Sequence, residues 1–101
     1  MIIDEELIKK EFGKILKTDP SHFYMNGTKV EIVECKKIDL LNLFPSGEEN
    51  GVSLYRVDGR GSFCETYGDG NSKECSMNFA TTIKVDGDDI VDVDSIKVTL
   101  K

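Results

Sequence analysis

The sequence predicts an α+β fold: one N-terminal helix, then a small, mostly antiparallel β-barrel or sandwich that the helix covers at one opening or one face. Three observations carry this. Residues 4–17 show helical spacing, Asn26-Gly27 marks a tight hairpin, and 75–85 alternate apolar and polar almost without interruption. The 101 residues suffice for a single domain spanning 1–101.

In the helix, Ile8, Phe12, Ile15 and Leu16 form one stripe, with Leu7 at its edge and Glu6, Lys9, Lys10, Lys14 and Lys17 opposite. Asp4, Glu5 and Glu6 load the first turn and Lys14 and Lys17 the last, complementing the helix dipole. Thr18-Asp19-Pro20 ends it, because proline disfavours a helical residue before it. A hairpin over about 22–35 follows. Asn26-Gly27 supplies the two positive-φ positions of a type I′ turn. That register sets Phe23 opposite Val30 and Met25 opposite Thr28, with Ile32 on the same face, while His22/Glu31 and Tyr24/Lys29 pair on the wetter one.

Residues 38–51 are ambiguous. Ile38, Leu40, Leu41, Leu43 and Phe44 cluster before Pro45-Ser46-Gly47, and a short helical turn and an extended loop both fit. Such a segment is either tucked onto the core or a patch that meets a partner. The β-rich remainder, 52–100, reads as a strand from Val52 to Val57, a turn at Asp58-Gly59-Arg60-Gly61, a strand from Ser62 to Tyr67 and a loop at Gly68-Asp69-Gly70-Asn71-Ser72. Cys75, Met77, Phe79, Thr81, Ile83 and Val85 then share one face, and Asp86-Gly87 turns the chain. Ile90–Val93 and Ile96–Leu100 alternate in different phases, which implies a break near Asp94-Ser95.

Nineteen acids against thirteen bases give a net charge of −6, and residues 1–37 are neutral, so the whole excess lies in 38–101. Asp86, Asp88, Asp89, Asp92 and Asp94 fall within nine positions. Such a surface repels phosphate backbones, which argues against direct nucleic-acid binding. It serves as a solvated face or meets a basic protein surface. No apolar run approaches the roughly 20 residues of a membrane helix. The opening Met1-Ile2-Ile3-Asp4-Glu5-Glu6 lacks the basic and apolar regions of a secretory signal, pointing to the cytoplasm.

No chemical site emerges. Cys35, Cys64 and Cys75 form no C-x-x-C pair; Cys64 and Cys75 could face each other across a hairpin, but buried thiols suit a reduced compartment better. An EF-hand register through Lys84, Asp86 and Asp88 puts a cation at position one, Asp89 at the glycine position and Ser95 at the terminal acid, so calcium and metal sites are not expected. Gly59-Arg60-Gly61-Ser62-Phe63-Cys64 begins like a dinucleotide fingerprint but lies between strands. His22 is the sole histidine and has no cysteine in register with it. The expectation is a protein with no catalytic residues, no cofactor and no enzymatic activity.

One pattern points to a family. The helix, Phe12-Gly13-Lys14-Ile15-Leu16, Thr18-Asp19, Phe23, Asn26-Gly27 and the Val30–Val33 strand occur in the order seen in small head–tail joining (head-completion) proteins of tailed bacteriophages, which this third of the chain resembles. The ending, 92–100, is similar to their terminal strand pair. The resemblance implies a non-enzymatic virion structural protein, one copy in a connector ring of small β-barrels in a phage or tail-like particle, working through self-association and contacts with neighbouring proteins. Residues 38–75 depart from that pattern. The contact residues expected from these readings are Leu41, Leu43 and Phe44 of the apolar segment and Asp86, Asp88, Asp89, Asp92 and Asp94. On this reading Leu43→Asp and Phe44→Asp leave the fold intact and block assembly. The alternative is a small acidic inhibitor, an immunity or anti-CRISPR-like protein, whose aspartates cover a basic nuclease or nucleic-acid-binding surface.

Overall fold

The computed structural model describes residues 3–19, 22–66 and 70–100. Helix α1 (Glu5–Thr18) is followed by seven strands: β1 (Phe23–Met25), β2 (Thr28–Val30), β3 (Ile32–Glu49), β4 (Val52–Thr66), β5 (Ser72–Asp86), β6 (Asp89–Val93) and β7 (Ile96–Leu100). They form one open sheet in the order β2-β1-β7-β5-β4-β3, with β6 also paired to β5. The α+β class holds, but the sheet neither closes into a barrel nor splits into a sandwich. All pairings are antiparallel except β1 with β7.

Helix α1 starts where the charge pattern places it. The Asp4 side chain accepts from the Leu7 N–H at 3.0 Å, Glu5 and Glu6 occupy the first turn and Lys17 the last. Ile8 and Phe12 are buried, with Ile15 and Leu16 packed beside them. Pro20, the expected helix stop, lies outside the described residues, as do Tyr67, Gly68 and Asp69 of the expected strand end and loop. At the hairpin Asn26 has φ 52° and Gly27 φ 79°, and Phe23↔Val30, Tyr24↔Lys29 and Met25↔Thr28 pair as the turn requires. The expected hairpin limb through 35 stops short: after Val30 the chain leaves β1, and Ile32 begins a strand paired to β4.

The 38–51 segment is neither helical turn nor loop. It completes β3, and Asn50-Gly51 (φ 53° and 81°) turns the chain into β4 just as Asn26-Gly27 does for the first hairpin. The turn expected at 58–61 is absent too, because β4 runs unbroken from Val52 to Thr66. Its glycines serve a contact instead. A Cβ on Gly59 would sit 2.0 Å from the Leu40 carbonyl oxygen, and one on Gly61 2.4 Å from that of Lys37. β3 therefore presses onto β4 at two points where only glycine fits. An 18-residue strand at about 3.3 Å per residue would span about 60 Å, more than the 45 Å long axis, so β3 must bend. It does so at irregularities between Ile32/Glu34, Cys35/Lys37, Ile38/Leu40 and Pro45/Gly47.

Odd-numbered residues of β4 and β5 face the core: Val57, Gly59, Gly61 and Phe63 meet Thr81, Phe79, Met77 and Cys75 in register. Phe12 of α1 docks into this face against Phe79 and Phe23, with centroids 5.3 and 5.8 Å away and edge-to-face geometry, and lies 6.3 Å from Phe63. Such ring pairs add about 0.5–1.5 kcal/mol each beyond area burial. Four of the five phenylalanines thus form the core, and the fifth, Phe44, lies outside it.

Candidate functional site

β3 is the last strand in the sheet order, so one of its edges has no strand partner among the described residues. An uncovered edge is a row of unpaired backbone N–H and C=O groups, and proteins usually guard one with charge, proline or bulges. Most of this edge is guarded. Lys36, Lys37 and Asp39 crowd its first half, Pro45, Glu48 and Glu49 its last part, and register irregularities flank both sides of the middle. The exception is Leu40-Leu41-Asn42-Leu43-Phe44, which pairs regularly with Arg60, Gly59, Asp58, Val57 and Arg56 and carries neither charge nor bulge.

Side chains of this run divide between two faces. Leu41 and Leu43 are half-buried and pack against the core, so Leu43→Asp would damage the fold rather than spare it. Leu40, Asn42 and Phe44 point to the outer face, where Leu40 is 46% and Phe44 44% exposed. Each has a polar cross-strand neighbour on β4. The Arg56 guanidinium lies 5.0 Å from the centre of the Phe44 ring, a cation–π contact, and the Asn42 amide donates to Asp58 Oδ1 at 3.0 Å. Arg60 stands opposite Leu40. At the proximal end Lys36 Nζ is 2.8 Å from Glu34 and Lys37 Nζ 3.3 Å from Asp39. The Glu34 carboxylate, through its hydrogen bond and then its charge, raises the Lys36 ammonium pKa above its ordinary value.

The aspartates are spread along the β5–β6 hairpin and the connection after it. Asp86 and Asp89 face each other across its turn, Asp88 lies in that turn, and Asp92 is opposite Lys84. The registers Glu48↔Ser53 and Ser53↔Val85 bring Glu48 and Glu49 to the same end of the sheet. Asp94 stands apart: its backbone N–H donates to Thr82, and its carbonyl accepts from Thr81 Oγ1 at 2.9 Å. His22 holds this connection. Its Nε2 lies 3.0 Å from the Val93 carbonyl oxygen and 2.9 Å from that of Asp94, while Nδ1 lies 3.4 Å from Asp19. Both ring nitrogens are engaged in structure, and the expected pairing with Glu31 is not made.

The cysteines offer no nucleophile dyad. Cys35 is buried, and desolvation pushes its thiol up to about 12 against an opposing pull from Lys9. Cys64 pairs in register with Glu74 and Cys75 with Phe63, so the two sulfurs sit on opposite faces and all three thiols are free. Among the described residues no group of three or more His, Cys, Asp or Glu side chains is placed to hold a metal ion, and no helix is long and apolar enough to cross a membrane.

Sequence reasoning had singled out the apolar segment but missed Arg56, Asn42 and Arg60, which the β4 register brings alongside it. The available signal was Asn50-Gly51, the same dipeptide that fixed the first hairpin. Comparison with protein-family models, known proteins and solved structures finds no match to this chain.

Proposed function

We propose that this protein is a non-enzymatic structural or adaptor subunit that acts through protein–protein contacts made along β3. One observation carries the reading: an unguarded, regular, apolar run, Leu40–Phe44, lies on a long edge strand whose other parts are all guarded. A solvated edge gains nothing from leucine and phenylalanine, whereas an edge that meets another chain gains apolar burial and backbone hydrogen bonds together. The sequence pattern of 1–35 and 92–100 favours a phage or tail-like particle as the setting, with this chain in the connector between neighbouring proteins.

A second reading has its own support. The sheet registers gather Glu48, Glu49, Asp86, Asp88 and Asp89 at one end, an acidic surface suited to covering a basic nuclease or nucleic-acid-binding groove. Sedimenting a native lysate of the source cells and locating the protein by mass spectrometry separates the two. Recovery in megadalton particles with phage proteins, lost on Phe44→Asp in folded protein, supports the assembly role. Recovery as a free species, or with one basic enzyme in a salt-sensitive complex, refutes it and favours the inhibitor.

A further inference from the structure

We propose that the partner seated on the β3 edge is a second copy of this chain, paired antiparallel about a two-fold axis through Asn42. The proposal rests on the reading of Leu40–Phe44 as a contact surface and names its occupant. Length is the first argument. β3 has 18 residues, while the other strands ending or flanking the sheet, β2 and β6, have three and five. Among the strands of this chain with an open edge only another β3 is as long, and regular pairing between the two would run over Leu40–Phe44.

Register is the second. Leu40–Phe44 is free of bulges, so residues equally distant from Asn42 share a face. An antiparallel pair centred there sets Leu40 opposite Phe44 on the outer face and Leu41 opposite Leu43 on the inner one, with Asn42 against its own copy. Directly opposed side chains in such a ladder lie about 4.5–5.5 Å apart at Cβ. Leu40 and Phe44, each nearly half exposed in the single chain, would cover each other twice over.

Charge is the third and selects the antiparallel sense. The edge carries Lys36 and Lys37 near its start, ion-paired within the chain to Glu34 and Asp39, and Glu48 and Glu49 at its end. Two-fold pairing lays the lysines of each copy along the glutamates of the other, at both ends. Parallel pairing would stack lysine on lysine and glutamate on glutamate. The two-fold interface is self-complementary and closes on itself, so it uses up the long edge and leaves the short ones for other neighbours.

Sedimentation equilibrium at about 0.15 M salt tests this. The wild-type chain is expected at twice the 11.3 kDa chain mass. Lys36→Glu/Lys37→Glu and Glu48→Lys/Glu49→Lys each place like charges at both ends of their own homodimer, weakening it about tenfold or more. Mixed together, the two variants restore opposite charges at both ends, so the mixture regains the dimer mass. All four positions are exposed, and circular dichroism verifies that both variants fold. A wild-type chain that stays at 11.3 kDa, a dimer unmoved by either double substitution, or a mixture that stays monomeric overturns the proposal. A monomer that still enters particles defeats this pairing and spares the assembly reading; a charge-switched dimer never found in particles does the reverse.

Discussion

Gly59→Ala probes the contact that shapes the β3 edge. Gly59 is not among the positive-φ residues, so alanine there suffers no backbone strain and its whole cost lies in the contact. The new Cβ would stand 2.0 Å from the Leu40 carbonyl oxygen, 2.9 Å from its carbon and 3.0 Å from the Phe79 ring. The first distance is about 1 Å short of the closest approach real Cβ atoms make, and the obstacle is backbone. β3 must therefore lift from β4 at Leu41↔Gly59, within the regular run. Overpacking of this kind costs about 1–3 kcal/mol, and two weakened ladder hydrogen bonds add about 1 kcal/mol each. The gain from a stiffer unfolded chain returns about 0.4–1 kcal/mol. The net expectation is a loss of about 2–5 kcal/mol, a large share of the 5–15 kcal/mol typical of a domain. Gly13→Ala is the control: it sits within α1 with nothing within 4 Å of its would-be Cβ, and should stabilise by about 0.5–1 kcal/mol. Urea denaturation followed by circular dichroism gives both values. If Gly59→Ala falls within about 0.5 kcal/mol of wild type, the close approach of β3 is wrong.

Two further substitutions address the rest of the fold. His22→Ala removes the ring that holds the Val93 and Asp94 carbonyls, and should cost about 1–2 kcal/mol while speeding hydrogen exchange at the Asp94 and Ile96 amides; unchanged exchange there would show that His22 does not clasp the connection. Cys35 keeps its proton to about 12 in the folded chain but gives it up near 9.0 when unfolded, so the unfolded state binds fewer protons between those values. Stability from this group is therefore complete below pH 9 and declines as pH rises towards 12. Cys35→Ala should flatten that alkaline decline in denaturation midpoints measured across the same range, and an unaltered slope would count against a desolvated thiol.

The helix, the first hairpin with its register, the alternation of β5 and the break at Asp94-Ser95 were legible because each rests on local chemistry: a 3.6-residue stripe, a turn dipeptide, a two-residue period. What stayed hidden depends on partners distant in sequence. Asp58-Gly59-Arg60-Gly61 has the composition of a turn, yet its glycines are there because the carbonyls of Leu40 and Lys37 pass over them. Pro45-Ser46-Gly47-Glu48-Glu49 reads as a loop because a bulge between Pro45 and Gly47 breaks the alternation that would have revealed a strand leading to Asn50-Gly51. The same irregularities explain the partial reading of the site. Leu41, Leu43 and Phe44 stand out as an apolar cluster, but which of them faces solvent is fixed by the register against β4.

On the proposed role, that register also limits indiscriminate association along the edge. An apolar β-edge of five residues is a hazard if any extended chain can pair with it. Here the hazard is restricted from three sides. The flanking irregularities shorten the pairing-competent stretch, Lys36/Lys37 and Glu48/Glu49 disfavour a strand whose charges do not run in the opposite sense, and Arg56 lies on Phe44. The arginine is the most telling of these. Its guanidinium masks part of the ring while the edge is uncovered, and because an exposed cation–π contact is worth only about 0.5–1 kcal/mol, a partner that buries Phe44 displaces it at little cost. Leu40 stands opposite Arg60 in the same register. On the proposed role, these two arginines of β4 stand beside the exposed apolar residues until a matching strand covers them.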